Sequence, residues 1–138
     1  MGFRGINLTI PHKVAVIPFL DGLSEEARVI GAVNTVRRDG SRLIGENTDG
    51  KGFLRGVRND AKTDPRGKRV VMLGAGGAAR AIGTELLLAG VADLLVVNRS
   101  PDRGLATVEH LRKGTNGPIR FQQSPATFHV PADTDILV

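Results

Sequence analysis

Gly74-Ala75-Gly76-Gly77-Ala78 follows an apolar run at residues 69–73 and precedes a stretch with helical character. Strand, glycine turn, helix is the order in which a backbone closes on an anion. Gly74, Gly76 and Ala79 fill the pattern G-x-G-x-x-G/A. Its first glycine makes the tight turn, its second lets main chain approach a pyrophosphate, and its last small residue lets the helix lie close to the strand. The helix N-terminus then offers unpaired N–H groups. After the next apolar run, 93–97, stands Asn98-Arg99-Ser100, with Arg103 just beyond. A protein that binds NAD places a carboxylate there, about twenty residues past the loop, to hold a ribose hydroxyl. A guanidinium in that place forks onto a 2′-phosphate and stacks on adenine, so the two signals together point to NADP. Each has an ordinary alternative when taken alone: glycine turns also reverse chains, and arginines after a strand are commonly solvated surface.

A second chemistry rests on Lys13 and Asp49. Pro11 suits the first turn of a helix running to about Pro18, and Lys13 then falls where the helix dipole disfavours a cation by about 0.3–1 kcal/mol. Such a placement invites a functional reason, although a lysine laid along the surface with its ammonium in water also accounts for it. Asp49 opens a later helix and is explained as its cap, a role compatible with catalysis. Reduction of a carbonyl by hydride needs a proton delivered to oxygen, and an ammonium held by a carboxylate supplies one. His12 is an alternative acid. His110 and His129 have no local partner pattern, and no histidine pair has zinc-ligand spacing, so no metal is expected.

These groups need α and β elements to position them. A strand is expected over 6–10, and Ser24 caps a helix with Glu25 and Glu26 in its first turn. Runs at 32–37 and 42–46 flank Arg38-Asp39-Gly40-Ser41, a hairpin signal. Asp49 or Thr48 then caps a helix that buries Phe53, Leu54 and Val57. The polar stretch 59–68, with Pro65 and Gly67, has the composition of a connection. Beyond it come a strand, a helix stopped at Gly90, a strand, a helix over about 102–113, and short strands near Ile119 and Asp135. The class is α/β with a boundary between 64 and 65. Because Asp135-Ile136-Leu137-Val138 looks like a strand beginning, the sequence is expected to be an internal segment of a longer chain.

At 138 residues the length suits one ordinary domain or two incomplete ones. The 19 Lys and Arg exceed the 14 Asp and Glu, but they are spread along the chain; Trp and Tyr are absent and Phe numbers five, which argues against a single-strand or RNA platform. The chain has no cysteine, which removes disulfides, thiolate metal sites and a cysteine nucleophile and fits a reducing cytoplasm. No apolar run approaches the roughly 20 residues of a membrane span, and no signal-peptide pattern opens the sequence. A cytoplasmic protein without nucleic-acid or membrane partners is expected.

GINLTIPHK at 5–13, GAVNT at 31–35, GENTDGKGF at 45–53, GAGGAAR at 74–80 and NRSPDR at 98–103 occur in the order in which similar motifs occur in the shikimate dehydrogenase family. The resemblance covers nearly the whole chain. It implies the C-terminal part of an α/β substrate-binding catalytic domain over 1–64, then an incomplete Rossmann-type NADP-binding domain over 65–138, with the active site in the cleft between them. It also implies reduction of 3-dehydroshikimate to shikimate with NADPH, in aromatic amino acid and chorismate biosynthesis. Lys13 matches the family's catalytic lysine and Asp49 the aspartate paired with it. Thr9 and Asn34, with Lys13 and Asp49, match substrate-binding positions. Gly74, Ala75, Gly76, Gly77 and Ala78 match the pyrophosphate loop, and Asn98, Arg99, Ser100 and Arg103 the segment that takes the 2′-phosphate. Missing against the family's pattern are the opening strand with its serine pair for the substrate carboxylate, the Asn-Ala-Thr segment after the last strand, and a later glutamine. Quinate/shikimate dehydrogenase with relaxed substrate choice, or a non-catalytic ligand-binding homologue, are the alternatives; a monomer or homodimer is expected.

Overall fold

The computed structural model describes residues 2–138, which pack as two compact units, one ending at Asp49 and one beginning at Gly50. The first runs β1 (Gly5–Asn7), α1 (His12–Ala15), a 3₁₀ turn (Ile17–Phe19), β2 (Gly22–Leu23), α2 (Glu25–Ile30), β3 (Thr35–Asp39) and β4 (Arg42–Glu46). Its sheet has the order β1-β3-β4-β2, with β3 antiparallel to β1 and β4, and β2 parallel to β4. Ala27, Val33 and Val36 form its core, with Leu8, Val16, Ile17, Leu20 and Leu23 packed around them.

Local chemistry accounts for several boundaries. Ser24 caps α2 as expected, its Oγ accepting the Ala27 N–H at 3.2 Å. The hairpin forms in the expected place, with Asp39 paired to Arg42, so that Gly40 and Ser41 are the loop. The helix expected to run from Pro11 to about Pro18 is instead the short α1 followed by the 3₁₀ turn. Pro18 has no N–H to continue an α-helix, and the Phe19 N–H bonds the Val16 carbonyl three residues back. Strand β1 leaves the sheet after Asn7 rather than reaching residue 10, and β3 begins at Thr35 rather than near Ala32. Residues 8–13 and 32–34 are drawn into one another's hydrogen bonds, described below.

Helix α3 (Asp49–Asn59) starts on the last residue of the first unit and otherwise belongs to the second, which continues with β5 (Arg69–Leu73), α4 (Gly77–Leu88), β6 (Asp93–Asn98), α5 (Pro101–Gly114), β7 (Ile119–Gln123) and β8 (Ile136–Leu137). The sheet of the second unit is parallel throughout, in the order β7-β6-β5-β8. Helical crossovers need both sheet faces covered, and the strands accordingly bury both. Val70, Met72, Leu94 and Val96 join Leu86, Val108 and Leu111 of the helices on one face; Val71, Leu95 and Val97 pack with Phe128 on the other. The terminal strand is tied down by Asp135, whose carboxylate accepts the Arg69 N–H at 2.8 Å and the Lys68 ammonium at 3.3 Å. The Arg69 N–H first, and Lys68 after it, hold that carboxyl below the usual range. The tie is therefore in place at neutral pH and is lost as acid protonates it.

Packing divides the chain ahead of the polar 59–68 segment. Phe53 of α3 packs against the second unit's core, and a Cβ on Gly50 would stand 2.3 Å from the Ala81 carbonyl oxygen. Helix α3 therefore rests on α4 backbone to backbone. Phe53, Leu54 and Val57 are partly rather than fully buried; Gly50 is the buried residue of this helix. Gly50→Ala is expected to lower stability by about 1–3 kcal/mol, as overpacking against backbone does, read as a reduced urea midpoint by far-ultraviolet circular dichroism. An unchanged midpoint would mean that the two helices separate freely.

Candidate active site

Three stretches of the first unit are tied together through their main chains. The Leu8 N–H donates to the Asn34 carbonyl at 2.7 Å, the Val33 N–H to the Lys13 carbonyl at 2.7 Å, and the Asn34 N–H to the Glu46 carbonyl at 3.1 Å. Residues 8–13, 33–34 and 46–49 are thereby brought to one place. Across this junction the Lys13 Nζ donates to Asp49 Oδ2 at 2.5 Å. The side chains are 17% and 27% exposed, so the pair is largely removed from water yet open enough for a ligand oxygen to reach. A charge held there depends on its partner, because desolvation disfavours it alone.

Asn34 fixes the carboxylate. Its Nδ2 donates to Asp49 Oδ1 at 2.8 Å and to Thr48 Oγ1 at 3.0 Å, and its Oδ1 accepts the Thr48 N–H at 3.0 Å. Both amide hydrogens are thus engaged by the Thr48-Asp49 segment. Of the two residues expected to cap this helix, Asp49 commits its carboxylate to Lys13 and Asn34, and Asn47 Oδ1 accepts the Asp49 N–H at 3.0 Å. Asn47 is buried and also donates to the Ala32 carbonyl at 3.0 Å. Sequence reasoning passes over Asn47 and offers Thr48 only as a cap; the signal of both is their polar type immediately before a helix. Thr9 lies in the turn before α1; its side chain is exposed, and its carbonyl accepts the His12 N–H at 2.8 Å. The arrangement offers an ammonium, oriented by a fixed carboxylate, as a proton donor to an oxygen placed beside it.

The glycine turn lies in the second unit, at the C-terminal end of β5. Gly74 has a φ of +119°, which side chains other than glycine's rarely tolerate, and its N–H bonds the Val97 carbonyl at 2.8 Å. A Cβ at Gly76 or Gly77 would meet nothing within 4 Å, so the turn and the start of α4 face open space. Ala79 packs into the core behind them. At the end of β6, Asn98 Nδ2 donates to the Ser100 carbonyl at 2.8 Å, and Ser100 Oγ caps α5 by accepting the Arg103 N–H at 3.4 Å. These two side chains shape the turn. Arg99 and Arg103 stay exposed, and neither guanidinium has an ion pair or hydrogen bond among the described residues.

A cavity of about 320 Å³ at this end of the sheet is lined by Gly74, Asn98 and Arg99 from the expected set and by Ser124 and Phe128 beyond it. The latter two sit in the irregular stretch between β7 and β8, where no periodicity marks them. Open glycine backbone at a helix N-terminus, beside uncompensated guanidiniums, has the donor chemistry of a site for a phosphorylated dinucleotide. Ligands of open parallel sheets bind at this carboxyl end.

Comparison with known proteins agrees with these features. The model of the shikimate dehydrogenase substrate binding domain matches residues 1–36. Shikimate dehydrogenase (NADP(+)) of Geobacter metallireducens is 48% identical over 125 residues, which are 91% of this chain and 43% of that protein. Ligand-free 5-ketofructose reductase of Gluconobacter sp. strain CHM43 superposes with a TM-score of 0.87 at 47% identity, over 98% of this chain and 48% of that one. Shikimate 5-dehydrogenase of Thermus thermophilus, solved with NADP(H) and shikimate, does so with a TM-score of 0.75 at 40% identity, over 90% of this chain and 43% of that one. The chain spans less than half the length of these relatives. With the ordered motifs, the parallel nucleotide-type sheet and this likeness along nearly all of its length, the chain belongs to the shikimate dehydrogenase family.

Proposed function

We propose that the complete protein is an NADP-dependent shikimate dehydrogenase that reduces 3-dehydroshikimate to shikimate. The observation that carries this reading is the Lys13 ammonium held at 2.5 Å by Asp49, in a chain that also bears an open glycine turn and free arginines. Lys13 protonates the ketone oxygen in reduction and takes the proton back in the reverse direction. Asp49 orients the ammonium and accepts from a substrate hydroxyl; Asn34 keeps the carboxylate in register and, with Thr9, contacts the substrate. Residues 74–78 hold the pyrophosphate, and Arg99 and Arg103, in the segment shaped by Asn98 and Ser100, hold the 2′-phosphate. When bound, NADPH supplies the hydride for the ketone carbon. The enzyme acts in the cytoplasm on a small molecule, as a monomer or homodimer; no helix among the described residues is long and apolar enough to cross a membrane.

A second reading, reduction of 5-ketofructose, is favoured by the likeness to the Gluconobacter reductase over 98% of this chain. A lysine and aspartate pair protonates either ketone equally well, so the choice lies with groups that contact the rest of the substrate. Oxidation of NADPH by the complete protein with dehydroshikimate, dehydroquinate and 5-ketofructose, compared by kcat/KM, separates the readings; the highest value is expected for dehydroshikimate. Binding without reduction of any of the three would mark a ligand-binding homologue.

With the preferred ketone, Lys13→Ala is expected to lower kcat by about 10²–10⁴, the usual contribution of a positioned acid. Turnover within about tenfold of the unaltered enzyme would remove Lys13 as the proton donor. Arg99→Asp is expected to shift the NADP to NAD ratio of kcat/KM towards NAD, by placing a carboxylate where the 2′-phosphate lies. An unchanged ratio would refute the assignment of Arg99.

A further inference from the structure

The buried threonines of the helices do not all behave alike. Thr84 in α4 donates to the Arg80 carbonyl at 2.9 Å, and Thr115 at the end of α5 to the Leu111 carbonyl at 2.8 Å, each bonding back four residues along its own helix. That is the usual outlet for a threonine hydroxyl in a helix. Thr107 of α5 is fully buried, but its Oγ1 donates instead to the carbonyl of Ala75, inside the glycine turn, at 3.2 Å. It is a bond between elements 32 residues apart in sequence.

A trans peptide sets its C=O and the following N–H in opposite directions. Drawing the Ala75 carbonyl towards α5 therefore turns the Gly76 N–H away from α5. Among the described residues the Gly76 N–H has no protein acceptor, and a Cβ built on Gly76 or Gly77 would meet nothing within 4 Å. The turn is held at its other end by the Gly74 N–H on the Val97 carbonyl. With both anchors made, the peptide between Ala75 and Gly76 has one orientation, the one that presents a donor outward.

We infer that Thr107 is a positioning residue for the dinucleotide pyrophosphate: its buried hydroxyl sets the Ala75-Gly76 peptide so that the turn meets the anion with an N–H rather than a carbonyl. This rests on the reading of the glycine turn as the pyrophosphate site. Without the hydroxyl, the Ala75 carbonyl loses its partner and the peptide is free to rotate, so that an acceptor oxygen competes for the place of the donor.

The test uses the complete protein with Thr107→Val, which keeps the shape and removes the hydroxyl, and Thr107→Ser, which keeps the hydroxyl. Dissociation constants are measured for NADP and for adenosine 2′-monophosphate, which carries the 2′-phosphate but no pyrophosphate. Thr107→Val is expected to weaken NADP binding about tenfold and to raise the KM for NADPH alike with kcat little changed. Its affinity for adenosine 2′-monophosphate should stay unaltered, and Thr107→Ser should bind NADP to within about threefold of the unaltered protein. Should Thr107→Val fail to fold, the same comparison is made with Thr107→Ala. Undiminished NADP affinity in a variant lacking the hydroxyl, equal weakening of both ligands, or no rescue by serine overturns the role of Thr107 alone. Failure of the unaltered protein to bind NADP overturns the cofactor reading, and this inference with it.

Discussion

An ammonium and a carboxylate that lie largely out of water depend on each other, and the first unit is built around that dependence. Lys13 and Asp49 are 36 residues apart, so neither local propensity nor helical spacing brings them together. The main-chain bonds among residues 8–13, 33–34 and 46 do so, and they shorten β1 and delay β3 in the process. Asn34 stands at their centre, with its main chain bonded to two of the joined stretches and its amide to Thr48 and Asp49. A group fixed this way loses little freedom when a ligand arrives, which is the condition for proton transfer at a set place.

The second unit obeys a different constraint. A parallel sheet between covering layers hides both faces, which leaves its strand ends as the place for polar chemistry. At the carboxyl end of β5 and β6 the main chain supplies the donors, and the side chains of Asn98 and Ser100 are spent on local turns. The guanidiniums of Arg99 and Arg103 have no ion pair or hydrogen bond among the described residues, so their charge is available to an anion. The small residues serve this end as well: Gly74 for its φ, Ala79 for the close seat of α4, Thr107 for the orientation of a single peptide.

Much of this is legible in the residues. The continuous apolar runs mark β5 and β6, and Ser24 and Gly40 mark a helix start and a hairpin, because each of these signals is local and acts through its own backbone. The glycine turn and the arginines are legible for the same reason, being contiguous with the strands that carry them. Residue pattern alone makes helix α1 too long, since a proline that forbids the next α-helical bond still permits a 3₁₀ turn. Asp49 has the common use of an aspartate at a helix start, a cap, and only its partners show that its carboxylate is committed to Lys13 and Asn34.

The sequence by itself determined the α/β class, the rough positions of most strands and turns though not the ends of β1 and β3 or the short β2, and the residue types able to bind an anion or move a proton. Only the tertiary structure decided which of those residues meet. It paired Lys13 with Asp49, placed Asn34 between Thr48 and Asp49, seated α3 on α4 through Gly50, and sent the Thr107 hydroxyl to Ala75 rather than along its own helix. The physical reason is range. Propensity, capping and turn preference act within a few residues, whereas a hydrogen bond or ion pair between distant segments exists only after burial has brought them together and made an unpartnered polar group costly.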